Sequence, residues 1–155
     1  MAKAQSKKRS TAKRSTAKFD IIIKAKATTT RIIDINNDIV RLESNDREQV
    51  TGKHYSGMHW DTVEATMLAD GIATLTIRYL HMTKNGEYIT GIGTGTQVTL
   101  NKRGISQVTA EGTMWTSSSR LSHLNGGKWT INGEVNMNKE TVDVDVRGNF
   151  TILSA

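Results

Sequence analysis

Apolar side chains recur in this chain at every second residue, not every third or fourth, and that period restricts it to β-sheet. Val142, Val144, Val146, Phe150 and Ile152 share one parity, while Thr141, Asp143, Asp145 and Arg147 share the other, the pattern of a half-buried strand. One strand earlier, Trp129, Ile131, Val135 and Met137 repeat it, with a short turn expected at Asn138-Lys139. The sequence has no Pro, and turn signals recur at Asp70-Gly71, Asn85-Gly86, Lys102-Arg103-Gly104 and Gly126-Gly127. No long helix is required anywhere. A chain of 155 residues accommodates one domain with one core.

Register follows from the same alternation, because a slip of one residue exchanges the two faces of a strand. A three-residue loop Ala69-Asp70-Gly71 sets Val63 against Ile77, Ala65 against Leu75 and Met67 against Ala73. It also puts Thr62, Glu64 and Thr66 outside, opposite Arg78, Thr76 and Thr74, with Glu64 in diagonal reach of Arg78. Asn85-Gly86 is expected to form a two-residue type I′ turn, aligning Tyr79 with Ile92 and Ile77 with Thr94. A loop at Lys102-Arg103-Gly104 then pairs Val98 with Val108, Ile92 with Met114 and, outside, Gly91 with Trp115. The ring of Trp115 would cover a bare stripe at Gly91, Gly93 and Gly95.

With strands near Ile21–Ala27 and Thr29–Leu42, four from His54 to Thr116 and two after Gly127, the count reaches about eight. The expected fold is all-β: an antiparallel up-and-down meander closed into a small barrel, with a β-sandwich as the alternative. Two regions are expected, a disordered basic tail over residues 1–18 and a barrel domain over 19–155. The meander, the hairpin Arg78–Ile89 and the glycine-alternating strand Gly91-Ile92-Gly93-Thr94-Gly95 resemble small lipocalin-like and allene-oxide-cyclase-like antiparallel barrels, including barrel families without an assigned function. The resemblance implies a fold and a habit of holding small apolar molecules. It supplies no catalytic motif.

In these registers the inner face is ordinary core at one end and polar at the other. His59 lies opposite His81 and Asp61 opposite Tyr79, with Tyr88, Thr90, Ile92, Thr94 and Met114 nearby, as a ligand pocket at a barrel mouth would be arranged. His beside Asp suits acid/base work, and His59 and Asp61, two residues apart, leave the strand on one side. Three side chains do not make a closed metal-ligand set, so no metal is assigned and no cofactor is named. Wet barrel rims also keep such residues for structure alone. Ser119 lacks the context of a hydrolase nucleophile, and the Gly91–Gly95 run lacks the helix and Lys-Ser/Thr of a phosphate loop. Met58, Trp60, Leu80 and Met82 form an outer apolar patch suited to a covering element or an oligomer contact.

The charge is concentrated elsewhere. Residues 1–19 carry Lys3, Lys7, Lys8, Arg9, Lys13, Arg14 and Lys18 with no acid. Asp20–Ala155 holds 14 basic and 15 acidic residues, a net −1 against +6 for the whole chain. A tandem Arg-Ser-Thr-Ala-Lys repeat occupies residues 9–18, which resemble histone-like tails and contain nothing that builds a core. Such a tail contacts nucleic acid or another polyanion without reading bases; solubilising and targeting tails have the same composition. With no apolar run long enough for a membrane span and no Cys, the expectation is a cytoplasmic protein without disulfides or thiolate chemistry. Three functions are compatible with the residues. In order they are a small-molecule-binding barrel tethered by its tail, a nucleic-acid-associated protein whose barrel oligomerises, and an acid/base isomerase, cyclase or lyase.

Overall fold

The computed structural model describes residues 21–99, 104–136, 138–139 and 141–149. The tail at 1–18, Met137, Phe150, Ile152, Lys102 and Arg103 lie outside them. Eight strands follow in chain order: β1 Ile21–Asn36, β2 Ile39–Gly52, β3 Ser56–Met67, β4 Ile72–Thr83, β5 Tyr88–Thr99, β6 Ile105–Thr116, β7 Gly127–Asn136 and β8 Thr141–Asn149. Each pairs antiparallel with the next, and β1 also pairs with β8, so the sheet closes on itself as the barrel expected from the alternation. The stretch expected as a strand from Thr29 to Leu42 is split instead by a turn at Asn37, which takes a left-handed φ of 52°. Among the described residues no helix is long and apolar enough to cross a membrane.

Between β3 and β4 the register is the expected one, with Val63↔Ile77, Ala65↔Leu75 and His59↔His81, and Gly71 takes a φ of 80° in the loop. Arg78 reaches Glu64 diagonally at 2.5 Å.

Strand β5 corrects the sequence reading. Tyr79 pairs with Gly91 and Ile77 with Gly93, one residue away from the type I′ expectation. The cause is local. Thr83 Oγ1 accepts hydrogen bonds from the backbone N–H groups of Asn85 and Glu87, and Gly86 N–H bonds Thr83 O at 2.9 Å. Gly86 alone of the turn residues takes a positive φ, so the hairpin closes through a three-residue bulge loop. The pairing with β6 is shifted by one residue too, Gln97 meeting Val108 and Gly91 meeting Met114. The two shifts compensate, so β4 and β6 keep their expected faces while β5 is inverted between them.

Inversion places the glycine stripe inside the barrel, where it makes room for rings. A Cβ on Gly91 would stand 2.2 Å from the Tyr79 ring, and one on Gly93 2.3 Å from Trp129. The aromatic cover expected from Trp115 outside is therefore supplied by Tyr79 and Trp129 inside, and Trp115 is exposed.

The two ends of the barrel differ. At one end Tyr55 and Ile89 are buried, as are Leu121 and Leu124 of the connection 117–126, which contains a 3-10 turn at Ser122–Leu124. Glu87 fixes this cap through Ser118 Oγ at 2.5 Å and through Arg120, and these partners, Arg120 foremost, hold its carboxyl down at about 2. His123 Nε2 lies 3.1 Å from His54 Nδ1 at the same end. At the other end stand the hairpin loops, above which β1 continues beyond its last pairing with β8 at Lys26. The outer patch of Met58, Trp60, Leu80 and Met82 is half-buried, with the Arg47 guanidinium 5.6 Å from the Trp60 ring centre.

Candidate functional site

The barrel is hollow. A cavity of about 410 Å³ runs between Ile21 and Ile23 of β1, Val63 of β3, Leu75 and Ile77 of β4, Val108 and Met114 of β6, and Trp129 and Ile131 of β7. Gly71 and Gly104 in the hairpin loops line it, while no residue of the 117–126 cap does. Asp46, His59, Asp61, Tyr79 and His81 therefore form a floor near the capped end, not the mouth expected from the sequence, while Thr30, Gln97 and Ser106 line the opposite end.

Two rows of paired residues build that floor. In one, Asp46 of β2, Asp61 of β3 and Tyr79 of β4 are successive cross-strand partners; in the next, His59 and His81 pair directly. Strand alternation points all of them inward. His59 and His81 are each 2 % exposed and Asp46 is 6 % exposed.

Tyr55 Oη lies 2.6 Å from His81 Nδ1, and His81 Nε2 lies 2.8 Å from His59 Nδ1. His59 Nε2 then stands 3.1 Å from Asp61 Oδ2, without the alignment of a hydrogen bond. One set of protons suits every atom. Burial pushes the Tyr55 phenol up, so it keeps its proton and donates to His81 Nδ1. Burial, helped by the neighbouring His59, holds His81 well below its ordinary value, so its single proton sits on Nε2 and is donated to His59 Nδ1. The His59 proton is then on Nε2, facing a carboxylate. The reverse order would set a bare nitrogen lone pair against that carboxylate.

Asp46 accepts from Ser44 Oγ at 2.8 Å, yet burial and the adjacent Asp61 charge push its carboxyl up to about 6. Tyr79 stacks on His81 at 4.5 Å between ring centres and meets the Trp129 ring edge-on at 5.7 Å. Burial, then proximity to Tyr55, raises the Tyr79 phenol well above its usual range.

Of the residues singled out in the sequence, His59, Asp61, Tyr79, His81 and Met114 line the cavity together. Tyr88, Thr90, Ile92 and Thr94 do not: the inversion of β5 puts all four on the outer, exposed face. Lys3, Lys7, Lys8, Arg9, Lys13, Arg14 and Lys18 lie outside the described residues. Asp46, Ser44, Trp129 and Tyr55 belong to the site and were not singled out. The first two share the parity of Leu42 and Val50, a signal that becomes readable once the turn at Asn37 is placed.

No protein-family model matches the chain, and no curated protein does. Solved structures do. A protein of unknown function from Clostridium acetobutylicum is 14 % identical with a TM-score of 0.71, over 83 % of this chain and 95 % of that one. A conserved protein of unknown function from Rhodopseudomonas palustris is 13 % identical with a TM-score of 0.69, over 83 % and 93 %. An enzyme from Penicillium herquei is 15 % identical with a TM-score of 0.57, over 87 % and 99 %. At these identities the likeness is one of fold, an all-β antiparallel architecture, and extends to no more specific family.

Proposed function

We propose that the chain is a binding protein for a small, mostly apolar molecule that carries a hydroxyl and a carbonyl group. One observation carries the reading. Among the described residues His59 Nε2, Asp61 Oδ1 and Trp129 Nε1 are buried without hydrogen-bond partners, and all three residues line the apolar cavity. Buried polar atoms are seldom left unpaired, because each costs about 1–3 kcal/mol. A ligand carbonyl oxygen accepts from His59 Nε2–H or from the indole N–H of Trp129, and a hydroxyl donates to Asp61 Oδ1. The resemblance to lipocalin-like barrels supports the same reading. A thermal-shift screen of hydroxylated and carbonyl-bearing hydrophobic compounds, followed by native mass spectrometry, tests it. Binding is expected to raise Tm and to weaken roughly ten-fold or more in Asp61→Asn, given about 1.5–3 kcal/mol for a hydrogen bond to a charged group. A screen in which every compound leaves Tm and the native mass unchanged rules the reading out.

A second reading concerns the tail, where seven cations and no acid within 19 residues favour a polyanion tether. If all seven engage duplex DNA, the log–log salt slope is expected to be roughly −6. Deleting residues 1–18 should abolish this affinity and leave ligand binding intact; DNA affinity surviving the deletion would refute the tether.

A further inference from the structure

We propose that the cavity floor catalyses proton transfer at a carbon atom next to a carbonyl group of the bound molecule, with the Asp46–Asp61 carboxyl pair as base and His59 Nε2–H as hydrogen-bond donor to the oxygen. The inference rests on the ligand-binding reading and adds chemistry to it. Two carboxyl groups on neighbouring strands, facing one cavity at cross-strand pairing distance, are difficult to ionise together, so one of them holds or takes a proton near neutrality. The titratable groups facing the pair are His59, His81 and Tyr79, and among the described residues no Lys or Arg lines the cavity to fix both charges. The Asp46 carboxylate, raised by burial and by the neighbouring Asp61 charge, is a stronger base than one in water.

The step balances without a cofactor. The carboxylate takes the proton, the C–H electron pair becomes the new C=C bond, and the carbonyl π pair moves onto oxygen, where the His59 Nε2–H hydrogen bond stabilises the enolate. Where a further C=C bond is conjugated with the enolate, return of the proton to its far carbon shifts the double bonds and completes an isomerisation. Tyr55 and His81 are positioning residues. Tyr55 holds its proton and His81 resists a second one, so the chain Tyr55–His81–His59 fixes His59 in the tautomer that presents Nε2–H to the cavity. It does not pass a proton outward.

The probe is 5-nitrobenzisoxazole, whose ring opens when a base removes its one reactive carbon-bound proton. The N–O bond breaks, a nitrile forms and a coloured phenolate leaves. Native mass spectrometry follows binding of the probe and of the phenol product separately from turnover. Wild-type protein is expected to show saturable turnover that rises with pH through about 6 and then levels, as the carboxyl pair ionises. Asp46→Asn is expected to lower kcat about 100-fold while product binding persists, and Asp61→Asn to lower kcat as far with weaker product binding besides, the low end of what a positioned base contributes. Tyr55→Phe should lower kcat with little change in KM. Binding without turnover above that of free acetate overturns the proposal and leaves the binding reading standing. Turnover unchanged in both Asn variants, or independent of pH from 5 to 8 in the wild type, also overturns it. Failure of the probe and its product to bind overturns the proposal, while the binding reading stands or falls with the wider thermal screen.

Discussion

Gly93→Val is expected to destabilise the barrel by about 3 kcal/mol, which at this chain length lowers Tm by roughly 6–12 °C. A Cβ at this position would meet the Trp129 ring at 2.3 Å and the Glu111 carbonyl oxygen at 2.5 Å. The ring can move only by giving up its place beneath Tyr79 and over Gly112, and the carbonyl belongs to the neighbouring strand. The companion substitution Ile92→Thr, at a side chain 55 % exposed, should stay within about 0.5 kcal/mol. Chemical denaturation of the two variants reads out the face of β5 directly. The opposite ranking, with Ile92→Thr costly and Gly93→Val tolerated, would restore the register expected from a type I′ turn.

Asp46→Asn is expected to stabilise the protein above pH 7, on the order of 2–3 kcal/mol, and to leave its stability at pH 4 unchanged. The sign follows from proton linkage. In the folded protein the carboxyl is raised from 3.8 to about 6, so between those values the native state holds a proton that the unfolded chain has released. Stability of the wild type therefore declines as pH rises through that window and is flat above it, and a two-unit shift is worth roughly 3 kcal/mol. Asn keeps an acceptor for Ser44 and has no charge to bury. Urea melts of both proteins at several pH values from 4 to 8 test this. A variant that is less stable than wild type at pH 8 would mean that the carboxylate is held by a favourable partner instead of being penalised by burial and by Asp61. The same substitution is expected to lower proton-transfer turnover about 100-fold, the familiar opposition between stability and function at a working site.

The alternation of side chains made the sheet and its inner face legible wherever two strands could be compared. Between Met58 and Met82 the choice between a two- and a three-residue loop decided whether Glu64 or Val63 met Ile77, and segregation of polar from apolar residues settled it. In β5 that criterion had little force. Gly91, Gly93 and Gly95 alternate with Thr90, Ile92 and Thr94, so neither face declares itself apolar, and the register was taken from the turn alone. Asn85-Gly86 suits both a type I′ turn and the end of a bulge loop, and the hydrogen bonds that Thr83 Oγ1 accepts, which select the second, have no signature in local periodicity. The core of the site, His59, Asp61, Tyr79 and His81, came from the hairpin whose register was well determined. Asp46 and Tyr55 escaped for different reasons. Asp46 sits on a strand whose turn partner was not placed, and Tyr55 lies in a connection, where no period indicates direction.

The most direct test of the hollow, polar-floored barrel is a high-resolution crystal structure of the protein with the best compound from the thermal screen. The expected result is density for that compound between Trp129 and Asp61, with polar atoms in hydrogen-bond contact with His59 Nε2 and Asp61 Oδ1, and with the His81 ring still bonded to both His59 and Tyr55. Side chains of Met67, Leu75 and Ile131 closing on one another to leave a solid core, or His59 and His81 on opposite faces of the sheet, would contradict it.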